Sequence, residues 1–273
     1  MAVRDPKTEW LRVKGYRAMT PQRRFEIAQE LVKTGRVTVA RAIRRQYPEL
    51  SPREFEIELW NRIYGRAWAE QLRGSPRKGR QDMEDWRVVA RIIQVLEENQ
   101  IPYAIVGGYS AIYWGRPRFT HDADLLVDLQ LSQVNLLVDA LSNEFVVSPE
   151  AIHDAIRQRG EFNLIHRAEV FKTDLWVVAN APYDRQVLTR RRRGELGEQE
   201  VYYQSPEDTI LSKLRWCQAA NYSERQFSDA LGVYEIQERS LDQNYLNHWA
   251  RVLDVTGLLE KIRAQAALPP EEP

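Results

Sequence analysis

The run Thr120-His121-Asp122-Ala123-Asp124-Leu125-Leu126-Val127 sets two acids one residue apart in a stretch that otherwise reads as a strand. Successive strand side chains alternate faces, so Asp122 and Asp124 project together while the apolar residues after them anchor the strand. A third acid, Asp174, interrupts a second strand-like run, Val170-Phe171-Lys172-Thr173-Asp174-Leu175-Trp176-Val177-Val178. An acid there is costly to bury alone, so its position calls for a cation or a metal. Three convergent carboxylates can hold a pair of divalent metals.

A short gap upstream lies Tyr103-Ala104-Ile105-Val106, a β-type run introduced by Pro102 and followed by Gly107-Gly108. A glycine pair alone is more often a plain turn than a phosphate loop. Tyr109–Trp114 reads as a short helix closed by Gly115, and strand signals recur at 122–128, Phe162–His166 and Val170–Val178, with a hairpin at Arg167–Glu169. Helical patterns cover Leu131–Leu141, 206–219, 224–238, 242–253 and 257–267. Helices mixed with a few strands predict an α+β or α/β core with a small mixed sheet, followed by a C-terminal helical bundle.

The N-terminal part reads as a helical hairpin. Thr20-Pro21 opens one helix with Phe25, Ile27, Ala28, Leu31 and Val32 at helical spacing. Ser51-Pro52, with Glu54 three residues after the serine, opens another, and the turn around Pro48 joins them. Gly74–Arg80 is a breaker-rich linker and the tail Leu268–Pro273 reads as disordered. The expected division is an accessory region over 1–80, an α/β core over 81–204, a helical region over 205–268 and a tail over 269–273.

Composition narrows the function classes. The chain has 273 residues, 43% hydrophobic and 29% charged, the balance of a soluble globular protein. No apolar stretch approaches the ~18 residues a membrane helix needs. The first residues lack a signal-peptide core, so a cytoplasmic protein is expected. One cysteine, Cys217, excludes an internal disulfide framework and a cysteine zinc cluster. The net charge of zero hides a division: residues 1–80 hold 19 Lys+Arg against 9 Asp+Glu, and the other 193 hold 20 against 30. The basic part either faces a nucleic acid or protein partner, or balances the acidic remainder and ordinary solvent. The sequence lacks the phosphate-loop, protein-kinase and G-x-S-x-G signatures.

Val106-Gly107-Gly108, a gap to His121, Asp122-x-Asp124 and the later Asp174 together resemble the signature of the minimal nucleotidyltransferases of the DNA polymerase β superfamily. The pieces GGYS, RFTHDAD, SPEDTILSKLRW and SERQFSDALGVY look more specifically like the bacterial branch linked to abortive infection and toxin–antitoxin systems. The resemblance covers about residues 84–265. It implies a nucleotidyltransferase core and transfer of an NMP from an NTP to an acceptor hydroxyl. It also implies two Mg²⁺ ions, with Mn²⁺ as a possible substitute, held by Asp122, Asp124 and Asp174. Gly107, Gly108 and Ser110 would cradle the triphosphate, Arg118 and Lys213 would offset its charge, and Asp229 would be a further functional acid. The acceptor expected is a macromolecule, protein or RNA, rather than a small molecule such as an aminoglycoside. A protein partner through residues 1–75 is expected too. The rival reading is a non-catalytic interaction protein or antitoxin that keeps the fold.

Overall fold

The computed structural model describes residues 5–65, 85–169 and 171–266. The expected linker at Gly74–Arg80, the strand start at Val170 and the tail lie outside the described residues. In chain order the first helices are α1 (Pro6–Arg17), α2 (Pro21–Gln46), α3 (Pro52–Tyr64) and α4 (Asp85–Glu98). The middle of the chain holds β1 (Tyr103–Val106), α5 (Gly107–Trp114), β2 (Asp122–Val127), α6 (Val134–Leu141), β3 (Phe145–Val146) and α7 (Pro149–Gln158). There follow β4 (Glu161–His166), β5 (Lys172–Val177), α8 (Pro182–Thr189), β6 (Arg192–Leu196) and β7 (Gln199–Tyr203). Four helices close the chain: α9 (Pro206–Ala219), α10 (Glu224–Gln237), α11 (Gln243–Val252) and α12 (Thr256–Gln265).

These elements form two compact units, each assembled from separate stretches of chain. One, the acid-bearing unit, takes residues 28–103 and 119–178; the other takes 1–27, 104–118 and 179–273. In the acid-bearing unit the strand order is β3-β4-β5-β2. There β2 runs parallel to β5, while β4 is antiparallel to both β5 and β3. The other unit pairs β1 with β7 in parallel and β7 with β6 as an antiparallel hairpin. Both kinds of pairing occur in both units, so the fold is α+β with a mixed sheet. The N-terminal helical hairpin and the C-terminal helical bundle are present.

Local chemistry sets the boundaries. Ser51 and Glu54 form a reciprocal capping box at α3, with Pro52 at its first turn. Ser205 accepts from the Asp208 amide at α9, and Ser223 and Asp242 do the same job at α10 and α11. In β2 the residues Ala123, Leu125 and Val127 are buried completely, whereas Asp122, Asp124 and Leu126 on the opposite face are half-buried. One side of the strand therefore drives folding and the other carries chemistry. Helix α4 presents Val88, Val89, Ile92, Ile93 and Leu96, all without exposed surface, each contributing ~1.5–3 kcal/mol of burial.

The second unit contains two close approaches that only glycine permits. A Cβ at Gly115 would lie 2.6 Å from the Ala111 carbonyl oxygen and 2.9 Å from Val233 Cγ2, so α10 can crowd the end of α5. A Cβ at Gly194 in β6 would lie 2.5 Å from the Tyr113 hydroxyl, whose ring stacks on Tyr203 at 4.0 Å.

Candidate functional site

The register of β2 on β5 assembles the acids. Asp122 lies opposite Lys172 and Asp124 opposite Asp174 in a parallel pair, so all four side chains belong to one face. Asp174 is 8% exposed. Its burial, reinforced by the charges of Asp124 and Asp122, pushes its carboxyl up to about 6 although Lys172 pulls the other way. Lys172 Nζ lies 2.5 Å from Asp174 Oδ2, and Thr120 Oγ1 donates to Asp122 Oδ1 at 3.0 Å. Asp122 and Asp124 offer the hard oxygen donors that Mg²⁺ prefers. No group of three His, Cys, Asp or Glu side chains converges as a ready metal cage among the described residues. Of the three acids on this face, Asp174 is paired with Lys172.

The segment that leads into these acids is gripped by the N-terminal helices of the same unit. The Tyr64 hydroxyl of α3 bonds the His121 carbonyl at 3.3 Å and accepts from Arg36 Nη2 at 3.3 Å. Burial raises the Tyr64 hydroxyl to about 12, with Arg36 opposing and Asp85 assisting the rise. Arg36 in turn holds Asp85 at 2.8 Å. The His121 ring meets Phe119 and Tyr64 edge-on.

In the second unit, Gly107 takes a positive φ of 58° that lets the chain turn from β1 into α5, leaving the amides of that helix's first turn at its N-terminus. Ser110, chosen as a phosphate contact, has no exposed surface, and its hydroxyl is bonded to Thr209 Oγ1 at 2.8 Å. In this arrangement it ties α5 to α9 instead of standing open to a phosphate oxygen. Arg118, Lys213 and Asp229 come together as one cluster. Arg118 Nε and Nη2 hold Asp229 bidentately at 2.6 and 2.7 Å, and Lys213 Nζ lies 3.0 Å from Asp229 Oδ2. Burial alone would push the Asp229 carboxyl up, but Lys213 and Arg118 together bring it below the usual range.

Lys172 and Thr120 were not singled out in the sequence. Lys172 had a usable signal, because it stands two residues before Asp174 on the same strand face. Arg190 caps the C-terminus of α8, and Arg192 and Arg193 open strand β6. Arg190 pairs with Glu207 at 3.5 Å and lies over the Tyr245 ring at 3.8 Å. Cys217 is fully buried on α9, in keeping with a packing role.

Residues 17–79 match the model of a family described as Rv0078B-related antitoxin. No curated protein matches the chain. Among solved structures it is similar to an antigenic nucleotidyltransferase-like protein from Paracoccidioides brasiliensis, at 18% identity over 71% of this chain and 97% of that one, with a TM-score of 0.44. It is similar also to the antibiotic-resistance factor ANT(2'')-Ia, at 14% identity over 67% and 99% of the two chains, TM-score 0.42. The lincosamide antibiotic adenylyltransferase LnuA shows 12% identity over 58% and 99%, TM-score 0.39.

Proposed function

We propose that this chain is an Mg²⁺-dependent nucleotidyltransferase that moves an NMP from an NTP to an acceptor hydroxyl. The observation that carries this reading is the β2–β5 register, which sets Asp174 beside Asp124 on the face Asp124 shares with Asp122. Asp122 and Asp124 would hold the divalent ion, which supplies charge neutralisation at the reacting phosphate. The acceptor oxygen forms a bond to the α-phosphorus as the bond to the bridging oxygen breaks, and pyrophosphate leaves. Asp174 orients the acceptor hydroxyl and takes its proton. Gly107 and Gly108 allow close backbone approach to phosphate at the N-terminus of α5. Arg118 and Lys213, both held by Asp229, are the cations that would meet the triphosphate.

The acceptor we propose is a macromolecule, protein or RNA, within a cytoplasmic toxin–antitoxin or phage-defence setting. Among the described residues no helix is long and apolar enough to cross a membrane. A second reading, an interaction protein or antitoxin that keeps the fold without turnover, is favoured by one observation: the antitoxin family match over residues 17–79. On that reading residues 1–75 engage a protein partner.

The test is incubation with each labelled NTP, Mg²⁺ and a lysate containing RNA and protein. Labelled acceptor is expected with the wild type and absent with Asp122→Ala and Asp174→Ala. Should no NTP be bound and no acceptor be labelled, the enzymatic reading is wrong and the interaction reading stands.

A further inference from the structure

We infer that Lys172 takes the place of a second divalent cation, so that the site works with one metal ion held by Asp122 and Asp124. The inference rests on the nucleotidyl-transfer reading and concerns the same face. Three carboxylates stand on the paired strands, and in the register Lys172 lies directly opposite Asp122. Its ammonium reaches Asp174 Oδ2 at 2.5 Å. Both side chains are shielded, at 20% and 12% exposure, so the pair is not an incidental surface contact. Lys172 supplies one positive charge at the Asp174 carboxylate, where a second ion would otherwise bind. A second ion would have to compete with a tethered cation for the Asp174 carboxylate and then sit beside its positive charge. A lysine suits this part because its ammonium is a compact point charge on a flexible stem with three donors. Asp174 is thereby left to the acceptor hydroxyl instead of being consumed as a ligand.

The experiment counts ions on the full chain, by titration with MnCl₂ in saturating α,β-methylene-ATP followed by electron paramagnetic resonance. Wild type is expected to bind one Mn²⁺ with the signal of an isolated ion. Lys172→Met, which keeps the length and removes the charge, is expected to bind two with a spin-coupled signal. Lys172→Gln serves should the first variant not fold. Lys172→Arg is expected to restore the single ion, a rescue that a packing role for the stem would not give. Asp124→Asn, which removes a direct ligand, is expected to weaken Mn²⁺ binding more than Asp174→Asn does. Two coupled ions on the wild type, or one ion on both Lys172→Met and Lys172→Gln, overturn the inference while leaving nucleotidyl transfer intact. No Mn²⁺ bound to any folded variant overturns both.

Discussion

Asp229 sits between two cations, and replacing it with asparagine should be more damaging than removing the charge of Lys213. The carboxylate is 8% exposed, receives two short bonds from Arg118 and one from Lys213, and its partners have side chains only 21% and 7% exposed. Asp229→Asn preserves shape but leaves two neighbouring positive charges with no counter-charge from this position. Breaking a buried pair from one side costs about 3–5 kcal/mol. At about 2–4 °C per kcal/mol for a chain near this size, the melting temperature should fall by roughly 6–20 °C. Lys213→Met is the contrast, because Arg118 still neutralises Asp229 bidentately; the loss of one charged hydrogen bond there costs about 1.5–3 kcal/mol. Its nucleotide affinity should nonetheless drop.

The pH dependence has a definite sign. The Asp229 carboxyl titrates below its unfolded value, so its contribution is complete above the ordinary carboxylate range and is lost as pH falls through the folded value. The penalty of Asp229→Asn should therefore be full at pH 6–7 and shrink below about pH 4, where the wild type also loses its charge. Thermal and urea unfolding of wild type and both variants between pH 3 and 7 measure this. Equal stability of Asp229→Asn and wild type at pH 7, or a larger loss in Lys213→Met, would refute the reasoning.

Other outcomes follow from single contacts. Gly194→Ala brings a methyl within 2.5 Å of the Tyr113 hydroxyl and should cost about 1–3 kcal/mol by overpacking, read by urea denaturation; a neutral result would show that the Tyr113–Tyr203 stack shifts freely. Tyr245→Phe removes the 2.7 Å bond to Asp208 Oδ1 in a carboxylate with no exposed surface, for a loss of about 1–3 kcal/mol by the same assay. Tyr64→Phe should delete a phenol that ionises near pH 12, visible as one fewer late-titrating tyrosine in the ultraviolet. An unchanged high-pH limb would count against the Arg36–Tyr64–His121 link.

What could be read from the sequence was what local chemistry dictates. Strand 122–127 announced itself by alternation, and the C-terminal helices by Ser205-Pro206 and by apolar spacing. Helix α7 carries a Ser148-Pro149 start of the same kind, a signal as readable as that of α9. Strand β6 gave no usable pattern, since Leu196 is its one buried residue and Arg192, Arg193 and Glu195 are exposed. The cluster of Arg118, Lys213 and Asp229 was nameable residue by residue, but its pairing depends on contacts across 111 positions that no local period encodes. Ser110 illustrates the opposite limit: a hydroxyl beside a glycine turn suggests phosphate binding, and only tertiary packing reveals its tie to Thr209. Nor could the interleaving of the two units be inferred, because it is made by long-range pairing alone.

That interleaving bears on how the N-terminal segment could ever be exchanged. Residues 17–27 are anchored in one unit, where Arg24 bonds the Tyr113 carbonyl and Phe25 meets Tyr109 edge-on. Residues 28–64 are anchored in the other, through Arg36 on Asp85, Trp60 against Ile165 and Tyr64 on His121. A segment spliced in from another gene would have to satisfy contacts in both units at once. Chimaeras joined within residues 17–64 should therefore be insoluble more often than chimaeras joined on either side.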